Sequence, residues 1–347
     1  MSRIRALVVD DSVVARRVIS DILAAEDDFE VVGTAPNGRL ALAKIERLRP
    51  HLVTLDMEMP ELDGLQTLSE IRAQYPEVQV IMVSNLTRRG ASITVEALFL
   101  GASDYVTKAS QTSSPDEARQ YLRDQLLVKA RALAAPPAPV RTIPPPAKSA
   151  PPKRPAEVVV IGASTGGPNA LTDILKGLQQ PFPAPILIVQ HLPANFTNFF
   201  ARRLDAVCPL PVHEASDGAR IAPGEVWIAG GNRHLETRAT GGSVRLATTD
   251  GPPVNSCRPA ADVLFESAAG CFGSGTLAVV LTGMGQDGLN GCRAVRQAGG
   301  QVIAQDRESS VVWGMPGQVA GAGLADVVLP LSEIGAEIAS RVQAGRR

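Results

Sequence analysis

The chain is poor in the residues that would mark several protein classes. Four cysteines occur among its 347 residues, Cys208, Cys257, Cys271 and Cys292, and no two share a CxxC spacing. That excludes a disulfide scaffold or a thiolate metal ribbon and reads as reduced, partly buried thiols of a cytoplasmic protein. Aromatic residues make up 4% of the chain, so its cores rest on Val, Leu, Ile and Ala. Neither sign of charge prevails: 34 basic and 35 acidic residues leave a net charge of −1. A nucleic-acid or membrane-surface protein would need a basic excess or patch. No run approaches the ~20 apolar residues of a membrane span. The opening MSRIRALVVDDS places acids where a signal peptide carries its apolar stretch. The expectation is a cytoplasmic monomer with no direct membrane insertion.

Proline is concentrated in one place. Nine of the twenty-one residues from Ala135 to Pro155 are proline. Such a stretch can neither continue a helix nor pair in a sheet, so residues 133–156 read as a semi-extended linker. It separates a domain over residues 1–132 from one over 157–347. In the first, short β-branched runs at Ile4–Val9, Glu30–Thr34, Leu52–Leu55, Val80–Val83 and Tyr105–Thr107 alternate with helical patterns. The second repeats the theme, with strands at Val158–Ile161, Ile186–Val189, Leu277–Leu281 and Gln301–Ala304. Its polar middle, Val212 to Thr249, reads as short antiparallel strands turning at Gly230-Gly231-Asn232 and Gly241-Gly242. Both domains are α/β, with parallel sheets covered by helices.

Ligand sites of open parallel sheets gather at the carboxyl ends of the strands. In the first domain Asp10 and Asp11 follow the first strand, Asp56 the third, Ser84 ends the fourth and Lys108 follows the fifth. Clustered acids repel unless a divalent cation compensates them, and Mg²⁺ favours a few carboxylates with water and phosphate oxygen. Taken singly the acids fit helix capping, with Asp11 or Ser12 at the first N-cap; five matched strand ends favour a phosphoryl site. VVDDS, LDMEMPELDG, MVSN and DYVTKA together resemble the two-component receiver domain, over essentially all of residues 1–130. The resemblance implies a flavodoxin-like (βα)5 fold and phosphorylation of Asp56 by a histidine kinase. It further implies Mg²⁺ held by Asp10, Asp11 and Asp56, and a switch formed by Ser84, Tyr105 and Lys108. Two positions depart from the common pattern: Ser84 stands where many receivers have Thr, and Ala109 where Pro is common.

In the second domain a strand runs into Gly162-Ala163-Ser164-Thr165-Gly166-Gly167 and then a helix, which by the letter is a G-x-S-x-G elbow presenting the Ser164 hydroxyl. A serine needs a base. Of four histidines, only His191 ends an apolar strand, one strand along from Ser164; His51, His213 and His234 read as structural or solvated. The third strand end supplies Asp287, in the role of orienting carboxylate. A competing reading uses the same loop. Gly283, Gly285 and Gly288 satisfy G-x-G-x-x-G, and Asp306 follows at the distance a dinucleotide fingerprint requires. Spacing alone leaves an NAD-dependent oxidoreductase open, though it gives Ser164 and His191 no role.

The order Ser, His, Asp also disagrees with α/β-hydrolases. GASTGG, QHLP, RPAADVLFESAA, LTGMGQDG and IAQDRESSVVWGMPG instead resemble the chemotaxis protein-glutamate methylesterase/glutaminase family, over nearly all of 157–347. That resemblance implies hydrolysis of γ-methyl glutamate esters and certain glutamines on methyl-accepting chemoreceptors, serving sensory adaptation with no cofactor for hydrolysis. The residues assigned are Ser164, His191 and Asp287, with the backbone N–H groups of Thr165 and Met284 as oxyanion donors. Arg258 and Pro259 either contact substrate or begin a helix. The receiver is expected to obstruct the catalytic edge until Asp56 is phosphorylated. A third reading is a non-enzymatic output that binds a partner protein.

Overall fold

The computed structural model describes residues 3–85, 87–108, 114–134 and 154–343. The Pro-rich stretch 135–153 and Ala109 lie outside the described residues. The chain divides into two compact units, Met1–Val140 and Arg141–Arg347.

The first unit alternates strand and helix throughout: β1 (Ile4–Val9), α1 (Val13–Ala24), β2 (Phe29–Ala35), α2 (Gly38–Leu48), β3 (Leu52–Asp56), α3 (Gly64–Gln74), β4 (Gln79–Asn85), α4 (Arg88–Phe99), β5 (Asp104–Lys108) and α5 (Pro115–Ala134). Every strand pair is parallel, in the order β2-β1-β3-β4-β5. Buried on both faces, these strands need apolar runs rather than alternation, and all five residues of β3 are buried. Helix starts are specified locally. Ser12 caps α1 by accepting from the Ala15 N–H, Asn37 caps α2, and Asp63 with Gln66 forms a capping box on α3. The order reverses between β1 and β3, which opens a crevice at their carboxyl ends. Gly64 lets α3 begin against that edge, since a Cβ there would stand 2.3 Å from the Asp56 carbonyl oxygen.

The second unit continues with β6 (Val158–Ala163), α6 (Gly167–Lys176), β7 (Ile186–Gln190), α7 (Ala194–Asp205), β8 (Val212–Glu214), β9 (Val226–Ile228), β10 (His234–Thr240), β11 (Ser243–Thr249), α8 (Ala261–Phe272), β12 (Thr276–Val280), α9 (Leu289–Gln297), β13 (Gln301–Gln305), α10 (Met315–Gly321), β14 (Val327–Leu329) and α11 (Leu331–Gln343). Its main sheet runs β14-β13-β12-β6-β7-β9-β8, entirely parallel. Strand order reverses between β6 and β12, so the loops after them face one crevice. On one face Phe265 and Leu264 of α8 pack with Val160, Val280 and Met315 in a single apolar cluster.

The expected antiparallel section is present but covers only part of the polar middle. Val212–Glu214 and Val226–Ile228 join the main sheet in parallel, and the Gly230-Gly231-Asn232 stretch leads out of that sheet rather than closing a hairpin. Among the strands of the described residues, β10 and β11 alone pair antiparallel. Their turn is the expected Gly241-Gly242, both at positive φ (55° and 82°), as a two-residue hairpin loop of matching twist requires.

Candidate active site and phosphoryl site

At the edge of the first unit, Asp10 is fully buried, Asp56 is 5% exposed and Asp11 is open to solvent. Lys108, the last residue of β5, brings Nζ to 2.7 Å from Asp56 Oδ1 and 2.8 Å from Asp10 Oδ2. Only the contact to Asp56 is aligned as a hydrogen bond; Asp10 Oδ2 is buried without one. Burial pushes the Asp56 carboxyl above its usual range, Lys108 opposing and the Asp10 charge adding to the rise. Two buried acids therefore share one ammonium. The three acids each offer an oxygen within 4.8 Å of the others. The donor set is all carboxylate, and the two buried acids have a single ammonium between them, which fits a hard cation such as Mg²⁺.

Other switch candidates lie in the same unit. The Ser84 hydroxyl accepts from Thr94 Oγ1 at 2.7 Å. Tyr105 is 7% exposed, and Lys129 Nζ stands 4.5 Å over its ring. The capping alternative holds for Ser12 and not for Asp11, because Asp10 Oδ1 accepts from the Ser12 N–H at 2.9 Å while Ser12 caps α1.

In the second unit, Ser164 follows β6 directly. Its N–H donates to the Thr282 carbonyl at 3.1 Å, and its own carbonyl accepts from the Gly167 N–H and from Gln190 Nε2. Gly166, at φ +77°, turns the chain into α6. His191 extends the β6–β7 register, donating its N–H to Ala163 at 3.1 Å. Its ring points Nε2 at Asp287 Oδ2, 2.8 Å away, and Nδ1 at Cys257 Sγ, 3.7 Å away. Among the described residues no hydrogen bond joins the Ser164 hydroxyl to this ring. Because the carboxylate can only accept, Nε2 carries a proton and Nδ1 is the basic nitrogen of the neutral ring.

Asp287 is buried and closely held. Oδ2 also accepts from the Ala261 N–H at 2.6 Å, and Oδ1 from the N–H groups of Asp262 and Gly288. Ala261 and Asp262 open α8, so the helix's positive end faces the carboxylate. Burial works against the Asp287 charge, but His191 and those amides outweigh it and hold the carboxyl below its usual value. Burial likewise disfavours a charged His191; Asp287 and Cys257 override it and raise the imidazole to about 9. The RPAAD segment thus builds a helix start that grips Asp287. Arg258 spends its guanidinium on Asn232 Oδ1 and the Gly251 carbonyl, bracing that start.

The Gly283 loop serves the serine. A Cβ on Gly283 would stand 2.8 Å from Ser164 Cβ and 2.5 Å from Met315 Sδ, so glycine permits the close approach. Thr165 is buried and Met284 half-buried at the same edge. The dinucleotide reading loses its parts here. The Gly288 N–H is taken by Asp287, and Asp306 accepts from the Ser309 N–H and hydroxyl.

Three contributors had escaped the sequence reading. Gln190 braces the Ser164 backbone; Asn255 donates to Asp262 and Asp287; Cys257 faces the imidazole. Asn255 and Ser256 form a two-residue turn at φ 51° and 62°, closed by paired hydrogen bonds between Val254 and Cys257. The second position lacks the glycine that announces such turns. His234 is buried and bonded at both ring nitrogens, to Pro252 and Ala260, and His213 packs on Trp227. His51 Nδ1 accepts from the Arg5 N–H.

Comparison with known proteins places each unit in a family. Residues 159–338 match the CheB methylesterase family and residues 6–118 the response regulator receiver domain. The protein-glutamate methylesterase/protein-glutamine glutaminase of Trichodesmium erythraeum is 49% identical, over 99% of this chain and 100% of that protein. The protein of the same name from a Nocardioides species is also 49% identical, over 99% of this chain and 96% of its own length. The crystal structure of the Thermotoga maritima CheB methylesterase catalytic domain covers 53% of this chain and 97% of its own, at 46% identity and a TM-score of 0.52.

Proposed function

This chain belongs to the CheB methylesterase family, and from that premise we propose that it hydrolyses γ-methyl esters of glutamate, and the amides of certain glutamines, on methyl-accepting chemoreceptors. The observation that carries the chemistry is the 2.8 Å contact between His191 and Asp287, one strand along from Ser164 at a shared sheet edge.

Ser164 Oγ attacks the side-chain carbonyl while His191 Nδ1 takes its proton. Asp287, bonded to Nε2, keeps that tautomer and stabilises the imidazolium. The same imidazolium then protonates the departing methanol or ammonia, and water releases the glutamate from Ser164. Base catalysis of this kind contributes about 10²–10⁴-fold. The backbone N–H groups of Thr165 and Met284 are assigned to the oxyanion, each such donor being worth ~2.7–4 kcal/mol.

The receiver domain makes the reaction responsive. A histidine kinase supplies the phosphoryl group to Asp56, and Lys108, Ser84 and Tyr105 respond to it. Asp10, Asp11 and Asp56 would hold Mg²⁺, which when bound neutralises charge on the phosphoryl oxygens. Phosphorylation raises hydrolysis; a tenfold to hundredfold rise needs only ~1.4–2.7 kcal/mol of differential stability. The reading takes the protein as a monomer working in the cytoplasm. No helix among the described residues is long and apolar enough to cross a membrane.

Methanol release from methylated receptor cytoplasmic fragments tests the reading. Wild type and Ser164→Ala are compared, each with and without a small phosphodonor and Mg²⁺. Release that needs Ser164 and rises with phosphodonor is expected, with Ser164→Ala lower by ~10⁴-fold or more. No release by wild type, from fragments that a known esterase demethylates, would overturn it.

A further inference from the structure

The imidazole that serves hydrolysis lies between two groups of different chemistry. One nitrogen is bound to a carboxylate, and the other faces a half-buried thiol on a strained turn. No step of ester hydrolysis uses that thiol. His191, Cys257 and Asp287 each offer a ligand atom within 4.8 Å of the others.

We propose that His191 Nδ1 and Cys257 Sγ together bind a thiophilic divalent cation, Zn²⁺ above all, and that the bound ion silences hydrolysis. Zinc binds sulfur at ~2.3 Å and imidazole nitrogen at ~2.0–2.1 Å, which at a tetrahedral angle sets the two donors about 3.6 Å apart. The observed separation is 3.7 Å. The second requirement of a histidine ligand is also met. Protein metal sites commonly brace the far ring nitrogen with a carboxylate, which fixes the tautomer and raises ligand basicity. Here Asp287 does so from Oδ2, and its remaining capacity is taken by the backbone of α8 and Gly288. Asp287 is therefore the outer partner rather than a third ligand, and water completes the coordination.

The ion reaches the site because the His191 side chain keeps 14% exposure and Cys257 is half-buried. Binding displaces the thiol proton and any proton on Nδ1, so affinity rises with pH. Silencing follows from occupancy of Nδ1, the nitrogen that would otherwise take the serine proton; this half of the proposal rests on the hydrolase reading above. The second acidic cluster, Asp10, Asp11 and Asp56, offers oxygen alone and is a site of different type.

Cobalt provides a readout independent of activity. The reduced full-length chain is titrated with Co²⁺ and followed for the near-ultraviolet band of thiolate-bound cobalt. The receiver cluster cannot give that band, having no sulfur. One equivalent is expected in wild type, in Cys208→Ser and in Cys271→Ser, with none in Cys257→Ser. Asp287→Asn should retain the band with affinity about 10–100-fold weaker, as loss of an outer carboxylate generally causes. Absence of the band in wild type, or its survival in Cys257→Ser, would overturn the site. For silencing, Zn²⁺ should inhibit methanol release reversibly with EDTA, and half-inhibition of the residual Cys257→Ser activity should need at least tenfold more metal. A cobalt band without zinc inhibition would overturn the silencing alone. Failure of wild type to release methanol at all would count against the hydrolase reading and leave the cobalt result intact.

Discussion

The two units place chemistry at the same topological position and charge it in opposite ways. Each uses the carboxyl edge of a parallel sheet where strand order reverses. At the receiver edge, two buried carboxylates share the single ammonium of Lys108, and one oxygen of Asp10 has no hydrogen bond. At the hydrolase edge, one buried carboxylate receives three backbone N–H groups and an imidazole. At the first, burial outweighs the shared Lys108 and its acid sits above the usual range; at the second, His191 and the amides outweigh burial and its acid sits below. An incomplete site invites a cation and a phosphoryl group and changes when they arrive. A complete one is preorganised and should change little.

That contrast breaks most visibly at Asp287. Replacement by Asn keeps the shape and removes the charge, and kcat should fall by ~10³–10⁴-fold, as for an orienting acid in such triads. The pH profile supplies the sign. With neutral His191 as the proposed base, which Asp287 and Cys257 hold at about 9 against burial, wild-type activity should climb with pH toward that value. Without the carboxylate the imidazolium loses its main support, and the midpoint should move down toward the ordinary histidine value. A drop of less than tenfold, with the midpoint unmoved, would mean that Asp287 only anchors α8.

The next effect belongs to the receiver. Asp56→Asn should abolish the tenfold to hundredfold stimulation by phosphodonor, read as methanol release. Stimulation that persisted would place the phosphoryl acceptor elsewhere.

The smallest effect reports the incompleteness directly. Because burial raises Asp56, its folded form favours the proton, and the unit loses stability as pH rises from the ordinary carboxylate value through the raised one. Mg²⁺ acts on the ionised form and should restore it. At tenfold excess over its dissociation constant the gain is about 1.4 kcal/mol, or roughly 3–6 °C in the receiver's unfolding midpoint. The rise should shrink at acid pH and vanish in Asp10→Asn. An equal rise in that variant would mean that the ion binds elsewhere.

Sequence patterns carried most of the architecture because parallel strands buried on both faces are written as apolar runs. The residues ending those runs, Asp10, Asp56, Lys108, Ser164 and His191, could be read from the runs themselves. Three-residue strands have no such signature. Val212–Glu214 and Val226–Ile228 are too short for any period to show, and their parallel pairing is decided by the neighbouring β7. Cys257 was legible only as an isolated thiol. What brings it to His191 is a turn of two left-handed residues without glycine, and the sequence gives no warning of that conformation. The grip of α8 on Asp287 was hidden for a related reason: its donors are backbone amides, which every sequence contains.

The order of strands in the main sheet bears on how the protein is made. Strand β6 pairs with β12, matching Val158 to Thr276, although more than a hundred residues of chain separate them. A ribosome that has delivered β6 and β7 has yet to emit the strand that covers the other side of β6. During that interval an apolar strand edge stands open to pairing with a neighbouring nascent chain. Asp287, the acid bonded to His191, arrives just after the same late strand. Until β12 is made, the chain lacks both a partner of β6 and the carboxylate that meets His191.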